Sequence, residues 1–180
     1  MGLLDGVAAT SAESARTLPG DELLPRADVV MDRGFTVAAP PEVVWPWLVQ
    51  LGKWRAGWYL PRAVERVVPP SHRAIRHLEP RWLGLSVGDT IPDYGGKHET
   101  FTVAQVEAPH HLVHTSRRGH TDVTWAIVLT PYDDQGTPAT RVQLRLRLHP
   151  VKRQGLATSL GDWFDALTIA GMAAGLRERV

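Results

Sequence analysis

Polar and apolar residues recur with two different periods along this chain, and the change of period divides it. From residue 85 to 149 the period is two. In TRVQLRLRLHP (140–150), Val142, Leu144, Leu146 and Leu148 fall on one side and Arg141, Gln143, Arg145 and Arg147 on the other. Such alternation predicts a half-buried strand with its leucines against apolar material and its arginines toward water. In DVTWAIVLTPY (122–132), Val123, Trp125, Ile127 and Leu129 likewise share a side. SVGDTIP (86–92), ETFTVAQVE (99–107) and HLVHTSRR (111–118) complete the run of strand candidates. The breaks between them, DYGGKH, APH, RGHT and DDQGTP, are short and rich in turn formers, so the strands should be joined as hairpins in an antiparallel meander. An earlier strand, RGFTVAAP (33–40), stops at proline.

Two segments follow a helical period instead. In PPEVVWPWLVQLG (40–52), Val44, Trp45, Leu48 and Leu51 recur at spacings of three and four. Pro41 suits the first turn, Glu42 complements the helix dipole and Gly52 suits the C-terminal cap. Pro46 lacks the N–H that would bond the carbonyl of Glu42, so this helix should start irregularly or bend. A second short helix is expected over 58–67. At the end of the chain, Leu156, Leu160, Trp163, Leu167 and Ala174 form a stripe, with Arg177 and Arg179 at the C-terminal end of one long helix. Within it, AGMAAG (170–175) is small-sided, and each of its two glycines costs about 1 kcal/mol against alanine unless something compensates. Residues 1–30, with LPGDELLP at 18–25 and room for a short helix within 3–16, read as an N-terminal arm, and 31–180 as one domain.

The order of elements predicts an α+β fold: a first strand, two short helices, several antiparallel strands and a long C-terminal helix covering one face of the sheet. A twisted meander curled around such a helix leaves most space where side chains are small, so the architecture can hold a cavity.

Composition narrows the chemistry. The chain has 180 residues and a formal net charge of +1, which gives no global attraction to nucleic acid or to an anionic membrane. Cysteine is absent, which excludes disulfides and thiolate metal sites. No apolar run reaches the ~18 residues of a membrane span. Residues 1–20 carry Asp5, Glu13 and Arg16 and do not form a signal peptide, so a soluble cytoplasmic protein is expected. The eight histidines show no HExxH spacing, and neither a nucleophile elbow nor a phosphate loop is present, so no metal or cofactor is expected.

Several stretches, in this order, carry a resemblance: LPGDEL (18–23), FTVAAPPEVVWPWLVQLGKWRAGWY (35–59), LSVGDTIP (85–92), TWAIVL (124–129), TRVQLR (140–145) and GLRERV at the end. They resemble the SRPBCC superfamily, the START and Bet v 1-like helix-grip proteins, and within it a bacterial branch described as polyketide cyclase/dehydrase-like. The resemblance implies a helix-grip fold, an antiparallel sheet of about seven strands wrapped around the C-terminal helix and enclosing a hydrophobic pocket. It fixes no activity, since the superfamily includes lipid carriers, hormone receptors, aromatase/cyclases and chaperone regulators.

The leading functional expectation is an internal cavity for a hydrophobic small molecule such as a lipid or polyketide. Its expected walls are Trp58, Tyr59, Phe101, Trp125, Ile127, Leu144, Leu146, Trp163, Leu167 and Met172. Trp45 and Trp47 read as core, whereas Trp54, Trp58 and Tyr59 lie in a glycine-broken segment suited to a pocket mouth. The alternative is an aromatase/cyclase-like enzyme, for which His114, Tyr59, Asp93 and Arg55 are the candidate catalytic groups. Arg55 also reads as a loop tie, and IPDYGGKHE (91–99) as a hairpin tip or a gate. Asp162 and Asp165, at i,i+3 spacing, read as a solvated helix face. A third reading is a partner-binding or chaperone-regulator module using the arginine-rich sheet face. No nucleic-acid or integral membrane association is expected, and the sequence sets no oligomeric state.

Overall fold

The computed structural model describes residues 5–94, 96, 98–151 and 154–180, and the side chains of all of these except 5 and 154–164. Six strands form one antiparallel sheet: β1 (Val29–Val37), β2 (Thr90–Pro92), β3 (Thr100–Glu107), β4 (His111–Arg118), β5 (Thr121–Asp134) and β6 (Thr137–His149). Their order is β1-β6-β5-β4-β3-β2, so β2 to β6 are the expected meander and β1 closes beside β6. The strand number is six among the described residues against about seven expected. The alternation in β5 and β6 sets their register. Val123 faces Leu148, Trp125 faces Leu146, Ile127 faces Leu144 and Leu129 faces Val142, so both apolar rows share the concave side.

The helices are α1 (Ser11–Ala15), α2 (Pro41–Gln50), α3 (Arg62–Glu65) and α4 (Gln154–Arg177). Helix α2 has Pro41 in its first turn, continues through Pro46, and buries Val44, Trp47 and Leu48. Helix α3 is shorter than the expected 58–67. Helix α4 buries Ile169, Met172, Ala173 and Leu176. The expected stripe is therefore out of phase at its C-terminal end: Leu167 is 42% exposed. The side chains of Leu156, Leu160 and Trp163 lie outside the described ones.

The small residues of α4 have a different use from the expected one. A Cβ on Gly175 would sit 2.5 Å from the backbone nitrogen of Leu60, and one on Gly171 would sit 3.1 Å from the Leu60 side chain. These glycines let the Tyr59–Leu60 backbone cross the helix at close range. That contact compensates their helix propensity, and the space is filled rather than hollow. Arg179 anchors the crossing, donating to the Leu60 carbonyl at 3.2 Å and to Glu65 at 2.6 Å.

The convex face corrects a second expectation. The β6 arginines do not look into water, because residues 8–25 of the arm lie across them. Arg145 is 4% exposed. Its Nε donates to Asp32 (2.8 Å), its Nη1 to Asp21 (2.8 Å) and the Arg16 carbonyl (2.9 Å), and its Nη2 to the Ser14 carbonyl (2.9 Å). Arg141 grips both carboxylate oxygens of Glu13 at 2.7 and 2.8 Å. That pairing holds the Glu13 pKa down at about 2. Arg147 donates to the Leu24 carbonyl at 3.0 Å, and the fully buried Gln143 accepts from Arg16 at 2.8 Å. Gly20, at φ +89°, lets the arm press onto Val113, whose Cγ1 lies 2.5 Å from where a Cβ would stand.

Candidate ligand-binding cavity

On the concave side the packing is incomplete. The core around Phe35, Val37, Val44, Leu48, Tyr59 and Met172 is closed. Beyond it, a cavity of about 240 Å³ lies between the sheet, the end of α2 and the middle of α4. Strands β3 to β6 supply Phe101, His114, Val123, Trp125, Ile127, Leu146 and Leu148; α2 and its C-terminal cap supply Leu48 and Leu51; α4 supplies Asp165, Thr168 and Ile169.

One wall is aromatic. The Trp58 and Trp125 rings stack at 6.3 Å with planes 28° apart, and His114 stacks on Trp125 at 5.5 Å and 24°. Phe101 meets His114 at 5.8 Å and Trp125 at 5.7 Å. Trp58 is fixed by its indole N–H, which donates to the Thr168 carbonyl at 3.3 Å. Its place follows from the turn before it: Gly52 and Gly57 pair with each other and take φ of 142° and 85°, which aims the next residue back at the sheet.

The segment after β2 forms the rim. Lys53 donates from Nζ to the carbonyls of Asp93 and Gly96, both at 3.1 Å. Arg118 pairs with Asp93 and lies over the Phe101 ring, 5.2 Å from its centroid. Tyr94, half-exposed, meets Trp58 edge-on at 6.4 Å. Gly95 and Lys97 of the glycine-containing tip lie outside the described residues.

The buried ionisable group in this wall is His114, 3% exposed. Burial among rings disfavours its cation and lowers its pKa to about 4, partly opposed by a hydrogen bond with the Trp125 backbone. At neutral pH the imidazole is uncharged. Its Nδ1 is buried and has no hydrogen-bond partner.

Of the residues expected from sequence, the structure brings Trp58, Phe101, Trp125, Ile127 and Leu146 together around the cavity, with His114 and Asp93 beside them. Others lie elsewhere. Tyr59 is wholly buried in the core, its hydroxyl donating to the Trp47 carbonyl at 2.7 Å and accepting from Gln50 at 3.0 Å. Leu144 and Met172 belong to the same closed core, and Leu167 faces outward. The Trp163 side chain is outside the described ones. Arg55 ties loops together, donating to the carbonyls of Val49 (3.1 Å) and Trp82 (2.7 Å). Trp54 is 78% exposed, at φ 60°.

Sequence reasoning did not single out Lys53, Tyr94, Arg118, Leu148 or Asp165 as lining residues. Leu148 and Val123 stand in the apolar rows that hold Leu146 and Trp125, and that shared face was the signal for them. Asp165 read as solvated, yet it pairs with Arg33 at 3.0 Å. The signal was Arg33 itself, which stands in phase with Met31 and Phe35 on the inward side of β1. Among the described residues, no group of three or more His, Asp or Glu could hold a metal ion, and no helix is long and apolar enough to cross a membrane.

Residues 28–180 match the family described as "Polyketide cyclase / dehydrase and lipid transport". No curated protein matches significantly. Among solved structures, CalU16 of Micromonospora echinospora is 17% identical over 79% of this chain and 72% of its own, with a TM-score of 0.44. A Rhodobacter sphaeroides protein is 16% identical over 86% and 93%, with a TM-score of 0.49. PFC0360w, an HSP90 activator from Plasmodium falciparum, is 11% identical over 79% and 89%, with a TM-score of 0.48. At these identities the likenesses assign neither ligand nor activity. The family match spans every strand of the sheet and the whole of α4, and the chain belongs to the polyketide cyclase / dehydrase and lipid transport family of SRPBCC proteins.

Proposed function

We propose that the protein binds an uncharged, largely apolar small molecule in the cavity between sheet and α4. The observation that carries this reading is the aromatic wall of Trp58, Trp125 and Phe101 around a space the core does not fill. Burying roughly 200 Å² of apolar ligand surface contributes about 5 kcal/mol at ~25 cal/mol per Å², before the costs of association. A volume of about 240 Å³ sits below the ~300–1,000 Å³ of typical ligand sites, which favours compact rings over long acyl chains.

The cyclase reading is less well supported. A general base should have a pKa near the working pH, and burial holds His114 at about 4. The Asp93 carboxylate is engaged by Arg118, while Tyr59 and Arg55 stand outside the cavity. The partner-module reading needs the arginine face, which the arm covers.

The test is a titration with naphthalene followed by the indole N–H resonances of Trp58 and Trp125. Saturable shifts are expected in the native protein and their loss in Leu146→Trp, which fills the cavity at about 1–3 kcal/mol of overpacking. Saturable shifts that persist in a folded Leu146→Trp protein, or none in either, would refute the proposal.

A further inference from the structure

Two large aromatic side chains stand in water beside the cavity. Tyr94 is half-exposed and Trp54 is 78% exposed. Exposing an indole is unfavourable, and Trp54 carries a second cost. Residues 52–55 form a turn, closed by the Arg55 N–H donating to the Gly52 carbonyl at 3.2 Å. Trp54 is its third residue and takes φ +60°, a left-handed position that glycine fills without strain and bulky residues avoid. The core does not require a tryptophan there. Trp54 packs in neither apolar cluster and lines no part of the cavity. The ring is held outward against its own backbone preference.

Lys53 ties this turn to the rim. Its Nζ lies 5.2 Å from the Trp54 ring centroid and donates to the carbonyls of Asp93 and Gly96, so Trp54 and Tyr94 flank one ammonium. Tyr94 in turn meets Trp58 of the cavity wall. Among the described residues no carboxylate pairs with Lys53, since that of Asp93 is taken by Arg118. The rim therefore carries two cations, Lys53 and Arg118, against the one anion Asp93.

This edge fits a bilayer better than a protein. Tryptophan and tyrosine settle at the headgroup level, ring toward the acyl chains and polar tip toward water. A lysine beside them adds attraction for anionic headgroups. A stable protein partner needs about 800 Å² of surface on each side, more than two rings of about 150–250 Å² supply. An uncharged apolar ligand also concentrates in hydrocarbon rather than in water, so a mouth turned to a bilayer meets the ligand where it collects.

We infer that Trp54, Tyr94 and Lys53 dock the mouth of the cavity on the surface of a phospholipid bilayer bearing anionic headgroups, with which the ligand is exchanged. The exchange rests on the cavity reading above, whereas the docking is measured apart from it. The whole chain carries a net charge of only +1, so the attraction is local to this edge.

The experiment is co-sedimentation of the full chain, whose arm keeps the β6 arginines covered, with two kinds of vesicle: phosphatidylcholine alone, and phosphatidylcholine with phosphatidylglycerol in equal parts. The native protein is expected to bind both, the mixed vesicles more tightly. Trp54→Gly should keep the native melting temperature, because glycine suits the left-handed position, and should lose about tenfold in partitioning to either vesicle. Lys53→Gln keeps donors for the two carbonyls but removes the charge, and should lose about fivefold on the mixed vesicles only. Val67→Ser alters an apolar residue after α3 that is 85% exposed, and should bind as the native protein does. Inorganic phosphate at matched ionic strength should not release the protein; release would mean a site for a free anion and would overturn the docking. Native protein that ignores both vesicles would also overturn it and leave Trp54 to a protein partner. So would a folded Trp54→Gly protein that binds undiminished, or a loss in Val67→Ser in its place. The naphthalene titration of the native protein, made without vesicles, reports on the cavity separately. Saturable shifts in a protein that ignores vesicles would sink the docking alone, and their absence would sink the cavity reading and the exchange with it.

Discussion

The two faces of the sheet bury polar groups in opposite ways. On the convex face, Arg145 is as deeply buried as many core residues, and every nitrogen of its guanidinium has a partner from Asp32, Asp21 or an arm carbonyl. On the concave face His114 is equally buried, yet its Nδ1 has none. The chain closes one face with its own N-terminal residues and leaves the other lined by aromatic rings around a cavity. Equal burial thus goes with complete hydrogen bonding on one face and incomplete hydrogen bonding on the other.

If that contrast holds, removing a partner should be most severe on the convex side. Arg145→Ala leaves Asp32 without its counter-ion and Asp21 with Arg147 alone, and a loss of about 3–5 kcal/mol in urea denaturation is expected. The naphthalene affinity of the folded protein should not change. A loss well under 1 kcal/mol would show that the arm is not held as described. Acid should act on the concave side. The unfolded chain protonates its histidine near pH 6.5, but folded His114 resists until about 4. The unfolded state therefore binds more protons in that window, and stability falls as pH drops from 6.5 to 4, by about 3 kcal/mol in all. His114→Phe should flatten this slope when denaturation midpoints are measured against pH; an unchanged slope would assign it to other groups.

A smaller effect is expected at the arm's contact with β4. Gly20→Ala forces a side chain into a left-handed backbone position and against Val113, at a cost of about 1–3 kcal/mol. Protease cleavage within the arm should accelerate without a change in ligand affinity. Smallest of all in stability is Lys53→Ala at the rim, under about 1 kcal/mol. Its signature should be kinetic, a several-fold faster naphthalene release measured by stopped flow, because Lys53 holds the carbonyls of Asp93 and Gly96 beside the cavity. An unchanged release rate would mean that this segment does not gate the site.

The strands of the meander could be read directly, because alternation in β5 and β6 encodes both the strand and its buried face. The same rows held three of the cavity's lining residues, Trp125, Ile127 and Leu146. What escaped the pattern depends on partners distant in sequence. Arg145 looked solvated because Asp21 stands more than a hundred residues earlier. Asp165 looked solvated because Arg33 lies on the far side of the chain. The glycines of α4 suggested space, but the Tyr59–Leu60 backbone occupies it. Tyr59, adjacent to Trp58, turns into the core because its hydroxyl finds Trp47 and Gln50 there. Neighbours in sequence were thus divided between core and cavity by hydrogen bonds that no local period encodes.

The arm has one more consequence. The likeness to the family starts at residue 28, whereas Asp21, Glu13 and the carbonyls that neutralise β6 all come before it. A protein trimmed to the shared portion would present Arg141, Arg145 and Arg147 as a cationic ribbon with Asp32 as its remaining counter-ion. Polyanions would adhere to it, and assays on such a fragment would report a spurious affinity for nucleic acid or acidic vesicles that belongs to the cut and not to the molecule.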